Sequence, residues 1–413
     1  MQRPIFLFAV LAVFCLEGCK KYAELPPLGH PAYIRVFNDL PNITTALSNG
    51  QALPFLTFIM DPTTDTSGTP MGGAIVGDYM ATRQLFSLSY PINEANSSVG
   101  VTGISTIGYQ PITYLFPINF EYPGNAHVLP APAINGFDLS AWAQVPSGRH
   151  RIMFVSRPEN SIAFGDLSQT IRNRVLIDTT VDLQDGEVYT LEAVSRDMSK
   201  PDYGLYFRHE AFPHESFEDD KLYVGFVNLS EKPSQLVVDG FGSAFPDKIA
   251  ISYTYNIQDD NRSGAGSTPY YNPLPGYNNI NYTTLVTKMD TVIPYLSLPL
   301  LPDNYFFLGD TLRTYASQTL SQGSQPFVSF TFQDPNNPGT PFLILACAYN
   351  PATFNNYDNP LFTAANSTLP NLNLIVNING QYHIYPTLNI LELVDNRVYM
   401  MQIQKGFNTL PKQ

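Results

Sequence analysis

Two histidines, each followed by a glutamate, form the sequence feature with the clearest potential for metal chemistry. His209-Glu210 and His214-Glu215 start five residues apart, with Pro213 between them. A zinc-binding helix places its two histidines four residues apart on one face, so that both imidazoles reach the metal. Because the spacing is five and Pro213 interrupts helical structure, no helix can present both histidines. We therefore predict no metal site here and interpret residues 209–221 as a polar linker between domains.

Other motifs that could support catalysis or ion binding are incomplete. Residues 61–68 and 259–264 combine carboxylates with Ser, Thr, Asn and Gly, but neither has the regular Asp spacing and later Glu of a calcium-binding helix–loop–helix motif. We predict ordinary turns at both places. The sequence has no Gly-x-Ser-x-Gly motif and no Gly-x-x-x-x-Gly-Lys motif. It therefore predicts neither an enzyme nor a cofactor.

A tyrosine-rich segment between residues 253 and 282 is the best candidate for a binding surface. Its tyrosines lie among Asn, Gly, Pro and Ser, which are typical of loops. Exposed tyrosine rings bind partners at a low entropic cost, and neighbouring polar groups supply hydrogen bonds. Alternation, as in Tyr253-Thr254-Tyr255, also fits a strand with one buried face, and this alternative stays open. The predicted ligand-binding residues are Tyr253, Tyr255, Tyr270, Tyr271 and Tyr277.

Cys19 is the position whose chemistry the sequence specifies best. A single arginine precedes an apolar run at residues 5–16, which is long enough for a signal-peptide core but too short to span a membrane. Small Gly18 directly precedes Cys19, and this arrangement resembles a bacterial lipobox. We predict a signal peptide at residues 1–18, lipid attachment at Cys19 and a lipidated tether at residues 19–31. An ordinary signal peptide that is cleaved elsewhere remains the alternative.

Composition favours an extracytoplasmic β-protein. The net charge of −13 disfavours binding to phosphate backbones, so no nucleic-acid partner is expected. Charged residues make up only 14% of the chain, and 35 prolines argue against long helices. Once the leader is removed and Cys19 is acylated, only Cys347 remains, so no intramolecular disulfide is possible. We interpret Cys347 as a buried core residue and the lone Trp142 as a residue of the core or of a domain edge.

The chain repeats a strand pattern in its two halves. Residues 32–41 and 222–230 are both rich in β-forming residues and both reach an Asn where the chain must turn. Residues 181–194 and 388–403 each predict a hairpin with a tight turn and a second strand that begins Val-Tyr. By analogy with tyrosines at sandwich corners, we expect these tyrosines to bond to nearby backbone. We predict two all-β sandwich domains, at residues 32–215 and 221–405.

These patterns resemble a bacterial family of unknown function with immunoglobulin-like sandwich domains, often in tandem and often on lipoproteins of the Bacteroidota type. The matching segments are the opening, middle and closing strands of the first half and shorter pieces of the second, namely residues 35–41, 146–155, 183–190, 225–228, 237–240 and 380–384. The resemblance implies two tandem immunoglobulin-like antiparallel sandwiches on an outer membrane. It implies no particular activity, and the long stretches 51–140 and 241–340 depart from it.

Three functions follow as hypotheses. The first is a non-enzymatic cell-envelope lipoprotein, on the surface or the periplasmic face, that binds a glycan or a cell-envelope protein. The second is a fimbrial or other structural adhesin subunit, although residues 22–34 contain no Arg or Lys for the protease that matures such subunits. The third is a glycan-binding accessory lipoprotein of a nutrient-uptake system. In the first and third hypotheses the N-terminal lipid attaches the chain to the membrane, whereas a fimbrial subunit is a lipoprotein precursor that is cut between the lipid and the fold.

Overall fold

The fold is known from a computed structural model of the chain. It describes residues 25–40, 55–83, 104–105, 108–109, 121–158, 160–197, 200–231, 246–259, 270–286, 290–300, 327–339, 341–347, 368–369, 372, 374–378, 381–394 and 397–406. Cys19 and residues 235–240 lie outside this part of the chain. Among the described residues, no helix has both the length and the apolar character that crossing a membrane requires.

The regular secondary structure in the described part of the first half is almost all β-strand. The strands are β1 (Pro31–Asn38), β2 (Phe55–Thr64), β3 (Pro70–Met80), β4 (Ile104–Ser105), β5 (Gly108–Tyr109), β6 (Glu121–Tyr122), β7 (Ala143–Pro146), β8 (Gly148–Arg157), β9 (Val175–Leu183), β10 (Val188–Ser195) and β11 (Tyr203–His209). A single helical turn, α1 (Gln169–Arg172), precedes β9, and 3-10 turns lie at Phe164–Asp166 and Phe212–His214.

The second half continues in the same way. Its strands are β12 (Lys221–Asn228), β13 (Lys248–Asp259), β14 (Tyr270–Pro273), β15 (Ile280–Val286), β16 (Leu296–Pro299), β17 (Phe327–Gln333), β18 (Pro341–Cys347), β19 (Thr368–Leu369), β20 (Leu374–Ile378), β21 (Gln381–Tyr385), β22 (Thr387–Val394) and β23 (Arg397–Gln404). The predicted all-β sandwich class is confirmed.

Each half forms a sandwich of two main sheets. In the first half, sheet I has the order β11-β10-β1-β6, with β7 also on β1, and sheet II has the order β3-β2-β8-β9. Ile34 and Val36 of sheet I pack against Phe58 and Phe154 of sheet II. In the second half, sheet III has the order β16-β12-β22-β23, and sheet IV is built on β13, β17 and β18. Each fully buried large apolar side chain contributes about 1.5–3 kcal/mol to folding.

The two sandwiches also pack against each other. Successive side chains of a strand point to opposite faces, so the neighbours of Ile34 and Val36 on β1 face away from sheet II. Tyr33 and Phe37 join a third apolar core, together with Tyr223 and Val227 of β12. Sheets I and III are therefore buried on both faces, and the layers follow the order II, I, III, IV. Burial of the whole of β10 and β22 has the same cause.

Both inner sheets share a strand arrangement. β1 pairs parallel with β10, which pairs antiparallel with β11, and β12 pairs parallel with β22, which pairs antiparallel with β23. The hairpin predicted in residues 388–403 is confirmed, because Val394 pairs with Arg397. The hairpin predicted in residues 181–194 is wrong. β9 pairs with β8 in sheet II, while β10 lies in sheet I, so the Asp185-Gly186 turn carries the chain from one sheet to the other.

The tyrosine after that turn behaves as expected. The Gln184 backbone N–H donates a hydrogen bond of 2.9 Å to the Tyr189 hydroxyl, which fixes the chain where it changes sheets. Tyr223, near the start of β12, accepts an equivalent bond of 2.9 Å from the Glu218 N–H. This second tyrosine was not singled out in the sequence.

Candidate binding cleft between the two halves

A cavity of about 210 Å³ opens where the two halves meet. Its walls come from β1, from the segment 121–142 of the first half and from β23 of the second half. The lining is mostly polar and consists of Arg35, Glu121, Pro123, Gly124, Asn125, Asp138, Ser140, Ala141, Trp142, Gln402 and Gln404. This cavity joins polar groups that lie far apart in the sequence, and we take it as the candidate functional site.

An ion pair forms one wall of the cavity. Pairing of β1 with β6 brings Glu121 beside β1, and Arg35 Nε donates a hydrogen bond of 2.5 Å to Glu121 Oε2. Both side chains are buried. The Arg35 guanidinium lies 5.1 Å from the ring centre of Trp142 and 4.7 Å from that of Phe37. The aromatic contacts hold the guanidinium in place, and the carboxylate compensates its charge.

The second half supplies two amides to the opposite wall. Gln402 and Gln404 are alternate residues of β23, so both side chains lie on the same face of the strand. Backbone hydrogen bonds link this strand end to the first half: the Asp138 N–H donates to the Gln404 carbonyl (2.8 Å), and the Gly406 N–H donates to the Gly136 carbonyl (2.9 Å). The cavity therefore depends on the contact between the halves.

Trp142 forms a buried part of the lining. Only 1% of its surface is exposed, and its ring packs 6.3 Å from that of Phe212. This agrees with its interpretation as a residue at the edge of a domain. Its Nε1–H has no acceptor among the residues that the structure describes. A buried donor without an acceptor is costly, so an oxygen atom that entered the cavity beside Trp142 would relieve that cost.

A buried ion cluster joins the two halves near this cleft. Glu392 of β22 is fully buried between two arginines of the first half. Arg83 Nη1 lies 2.6 Å from Glu392 Oε2, and Arg208 Nη2 donates to Glu392 Oε1. The Arg83 guanidinium also lies 3.8 Å from the Phe37 ring centre, so Phe37 contacts Arg35 of the cleft as well as Arg83 of the cluster.

Three further carboxyl groups complete the ion cluster. Arg208 donates bonds of 3.0 Å to both Glu192 and Glu210, and Arg83 lies 3.5 Å from Asp39. Burial raises the pKa of Asp39 to about 7 and raises the pKa of Glu192 well above its ordinary value, and the Glu392 charge acts in the same direction on both. Burial alone would raise the pKa of Glu392 too, but the two arginines lower it to about 2. Because every member of the cluster is buried, we assign it a structural role.

The predicted tyrosine surface is only partly as expected. Tyr253 and Tyr255 are 8% and 2% exposed and belong to the core between sheets III and IV. Of the two alternatives that the sequence left open for these residues, an exposed surface and a strand with one buried face, the structure shows the second, because alternation on β13 directs both rings towards the core. Tyr277 packs against them, with ring centres 6.5 Å from Tyr253 and 6.3 Å from Tyr255. Tyr270 and Tyr271 lie on β14, paired with β13, and the prediction that they bind a ligand is untested.

Other sequence-predicted features have clear positions. The Asp65 carboxylate accepts hydrogen bonds from Ser67 and Thr69 of its own loop, which is the turn expected in residues 61–68. Cys347 is buried on β18, as expected, and burial raises its thiol pKa. The expected polar linker is instead packed against the protein, because Glu210 and Phe212 are fully buried. Most of residues 259–264 and the Asp-Asn turn of the second hairpin lie outside the described residues.

Sequence reasoning missed the cleft because its parts are not contiguous. Glu121 and Gln404 belong to no motif, and the strand motif that contains Arg35 implies no activity. Pairing of β1 with β6 and the contact between the halves bring the three residues together. An available signal was the alternation of Gln402 and Gln404 at the end of a strand that is otherwise apolar or aromatic from Val398 onwards.

Comparisons with known proteins give no family. No protein-family model matches the chain, and no curated protein matches it. Among solved structures, one from Bacteroides ovatus described as a cell adhesion protein has 7% identity and a TM-score of 0.14, with 92% of this chain and 99% of that chain covered. Another from the same organism, described as an adhesin, has 10% identity and a TM-score of 0.14, with 92% and 97% covered. Scores of this size support no argument about the fold or the function of this chain.

Proposed function

We propose that this chain is a non-enzymatic, lipid-anchored protein of the outer membrane that binds a glycan in the cleft between its two halves. The observation that carries the proposal is the lining of that cleft. Amide, hydroxyl and carboxylate groups converge there from both halves, and they are suited to hydrogen bonding with the hydroxyl groups of a sugar.

The size and charge of the cavity favour a small uncharged unit. A volume of about 210 Å³ is below the roughly 300–1,000 Å³ of sites for drug-sized ligands, so one sugar ring fits the proposal better than a long apolar molecule. The Arg35 charge is compensated by Glu121, so the arginine does not select for an anion. The Trp142 Nε1–H offers a buried donor to a ligand oxygen.

A glycan array probed with the full-length protein in detergent tests the binding. We expect saturable binding to at least one glycan, with affinity at least about tenfold weaker in a variant that combines Asn125→Ala and Gln404→Ala, since buried polar groups left unpaired cost about 1–3 kcal/mol each. Gln184→Ala is the matched control, because Gln184 is exposed and does not line the cavity. Loss of binding in Tyr270→Ala and in Tyr271→Ala, together with unchanged binding in the variant that combines Asn125→Ala and Gln404→Ala, would refute binding in the cleft. It would indicate that the glycan binds at the tyrosine-rich segment.

Anchoring is tested separately. The sequence at Cys19 supports lipid attachment, and Cys19→Ala is expected to abolish incorporation of labelled fatty acid and release the chain from the membrane fraction. Cys15→Ala is the control, because Cys15 lies inside the predicted leader. Unchanged labelling of Cys19→Ala would contradict the anchor without bearing on glycan binding.

A further inference from the structure

A second cluster of functional side chains lies in the first half, among residues that do not line the cleft. Glu187, His209 and His214 offer one carboxylate oxygen and two imidazole nitrogens, and these three atoms all lie within 4.8 Å of one another. Nε2 of each histidine is 2.7 Å from the same oxygen, Glu187 Oε2. The side chains of His209 and His214 are 50% and 58% exposed, and that of Glu187 is 24% exposed. The cluster is therefore open to solvent.

Ordered backbone holds all three residues in place. Glu187 directly precedes β10, and its carbonyl accepts a hydrogen bond of 2.9 Å from the Tyr33 N–H. His209 ends β11 and pairs with Tyr189, whose ring lies 5.2 Å from the imidazole. His214 ends the 3-10 turn that follows, which is anchored by fully buried Phe212. As predicted, no single helix presents both histidines, but the 3-10 turn brings the His214 ring to 6.3 Å from the His209 ring.

The chemistry of the three side chains suits a metal cation. An ionised carboxylate and two neutral imidazoles are the forms of these groups that bind metals.

We propose that Glu187, His209 and His214 form a binding site for a divalent transition-metal ion of the zinc type. Two imidazoles and one carboxylate are a common ligand set for such ions, whereas Ca²⁺ and Mg²⁺ prefer oxygen ligands alone. Zinc bonds of about 2.0–2.2 Å need ligand atoms about 3.3 Å apart in a tetrahedron, so exposed side chains that already converge within 4.8 Å need only small rotations. Three protein ligands leave a coordination position open for water or for a partner's side chain.

Simple ion pairing accounts less well for this arrangement. Two other histidines contact a carboxylate, His30 with Asp185 at 2.8 Å and His150 with Asp61 at 2.7 Å, and each of these pairs has one imidazole. At Glu187, by contrast, two imidazoles contact the same carboxylate oxygen, whereas a hydrogen-bonded pair needs one imidazole. The proposal reverses the sequence-based expectation of no metal site, because Glu187 is 22 residues from His209 and meets it only when β10 pairs with β11.

The test is titration of the full-length protein, made without a polyhistidine tag, with Zn²⁺ in a calorimeter. We expect one saturable site. His209→Ala and His214→Ala should each weaken it at least about tenfold, since losing even an outer partner of a metal ligand costs about 10–100-fold in affinity. Co²⁺ should give a visible absorption spectrum that the same variants lose. His30→Ala is the matched control and should leave the affinity unchanged, because its imidazole contacts a carboxylate without a third ligand.

The outcomes decide the proposal. Absence of a saturable Zn²⁺ site would overturn it, as would an affinity unchanged in a variant that combines His209→Ala and His214→Ala. Equal losses in His30→Ala would place the ion elsewhere and overturn the assignment of these three ligands. Both exposed histidines can be changed without creating a core cavity, and thermal unfolding of each variant checks that the fold is retained. Glycan binding is measured independently, because none of these residues lines the cleft.

Discussion

Replacement of Glu392 with glutamine tests whether the buried ion cluster holds the two halves together. The substitution keeps the size of the side chain and removes its charge. Glu392 is the only residue of the second half among the described carboxylates of the cluster, and both arginines of the first half contact it. The variant therefore weakens the charged contact between the halves while the apolar core around it stays the same.

The expected loss of folding stability follows from the carboxylates that each arginine still contacts in the variant. Arg208 retains Glu192 and Glu210, both at 3.0 Å, so it stays compensated. Among the carboxylates that the structure describes, Arg83 retains one direct contact, with Asp39 at 3.5 Å. Breaking one buried pair costs about 3–5 kcal/mol. Because the Glu392 charge raises the pKa of Asp39, that carboxyl should ionise more readily in the variant and offset part of the loss, so we expect about 3 kcal/mol.

Differential scanning calorimetry at pH 7 gives the measurement. For a unit of about 200 residues, a loss of about 3 kcal/mol lowers the Tm by roughly 6–12 °C. Asp178→Asn is the matched control: it removes a carboxylate that bonds Arg151 at 2.8 and 2.7 Å, but both side chains are largely exposed, so at most about 1 kcal/mol is expected. A Glu392→Gln variant that melts within about 2 °C of the Asp178→Asn variant would refute the reasoning.

Two other predictions concern stability. The folded pKa of Asp39 is about 7 against an ordinary value of 3.8, so the folded state holds a proton that the unfolded state releases, and this contribution to stability is lost as the pH rises from about 4 through 7. Asp39→Asn should remove this pH dependence, so between pH 4 and 7 the Tm of the variant should fall less than that of the unchanged protein. Parallel curves of Tm against pH for the two proteins would contradict the prediction. Gly225→Ala should cost about 1–3 kcal/mol in urea unfolding, because a Cβ there would lie 2.5 Å from Val292 and 2.6 Å from Tyr295. Gly72→Ala, with 3.8 Å to its nearest neighbour, should have little effect, and equal losses in the two variants would show that crowding is not the cause.

The sequence was informative where the signal is local. Strand composition and alternation predicted the all-β class, the opening strands β1 and β12 and the hairpin of β22 with β23. The prediction of a hairpin in the first half was wrong because an Asp-Gly turn can join two strands of one sheet or two strands of different sheets. The local pattern does not distinguish these outcomes. Packing of β9 on β8 and of β10 on β1 decides between them.

The sites were harder to predict because long-range contacts create them. Tyr253 and Tyr255 begin a segment whose composition is loop-like as a whole, yet pairing of β13 with β17 makes them core residues. Nothing in the sequence around Trp142 indicates a cavity, because Gln402 and Gln404 join it in the cavity lining only in the folded chain. β1 carries apolar or aromatic residues on both of its faces, with Arg35 among them, and every residue after Pro31 is buried. Apolar residues on both faces of a strand are typical of an inner sheet.

The packed halves explain why charge is buried at their contact. An apolar contact between sheets I and III would be at least as stable as one that contains buried ions. It would also tolerate sliding, since apolar packing has little directional preference. Glu392 accepts a hydrogen bond from Arg208 and forms an ion pair with Arg83 at 2.6 Å, and these directional contacts favour one register of the halves. β22, which carries Glu392, pairs with β23, which carries Gln402 and Gln404, so the strand that lines the second-half wall of the cleft is hydrogen-bonded directly to the strand of the ion cluster.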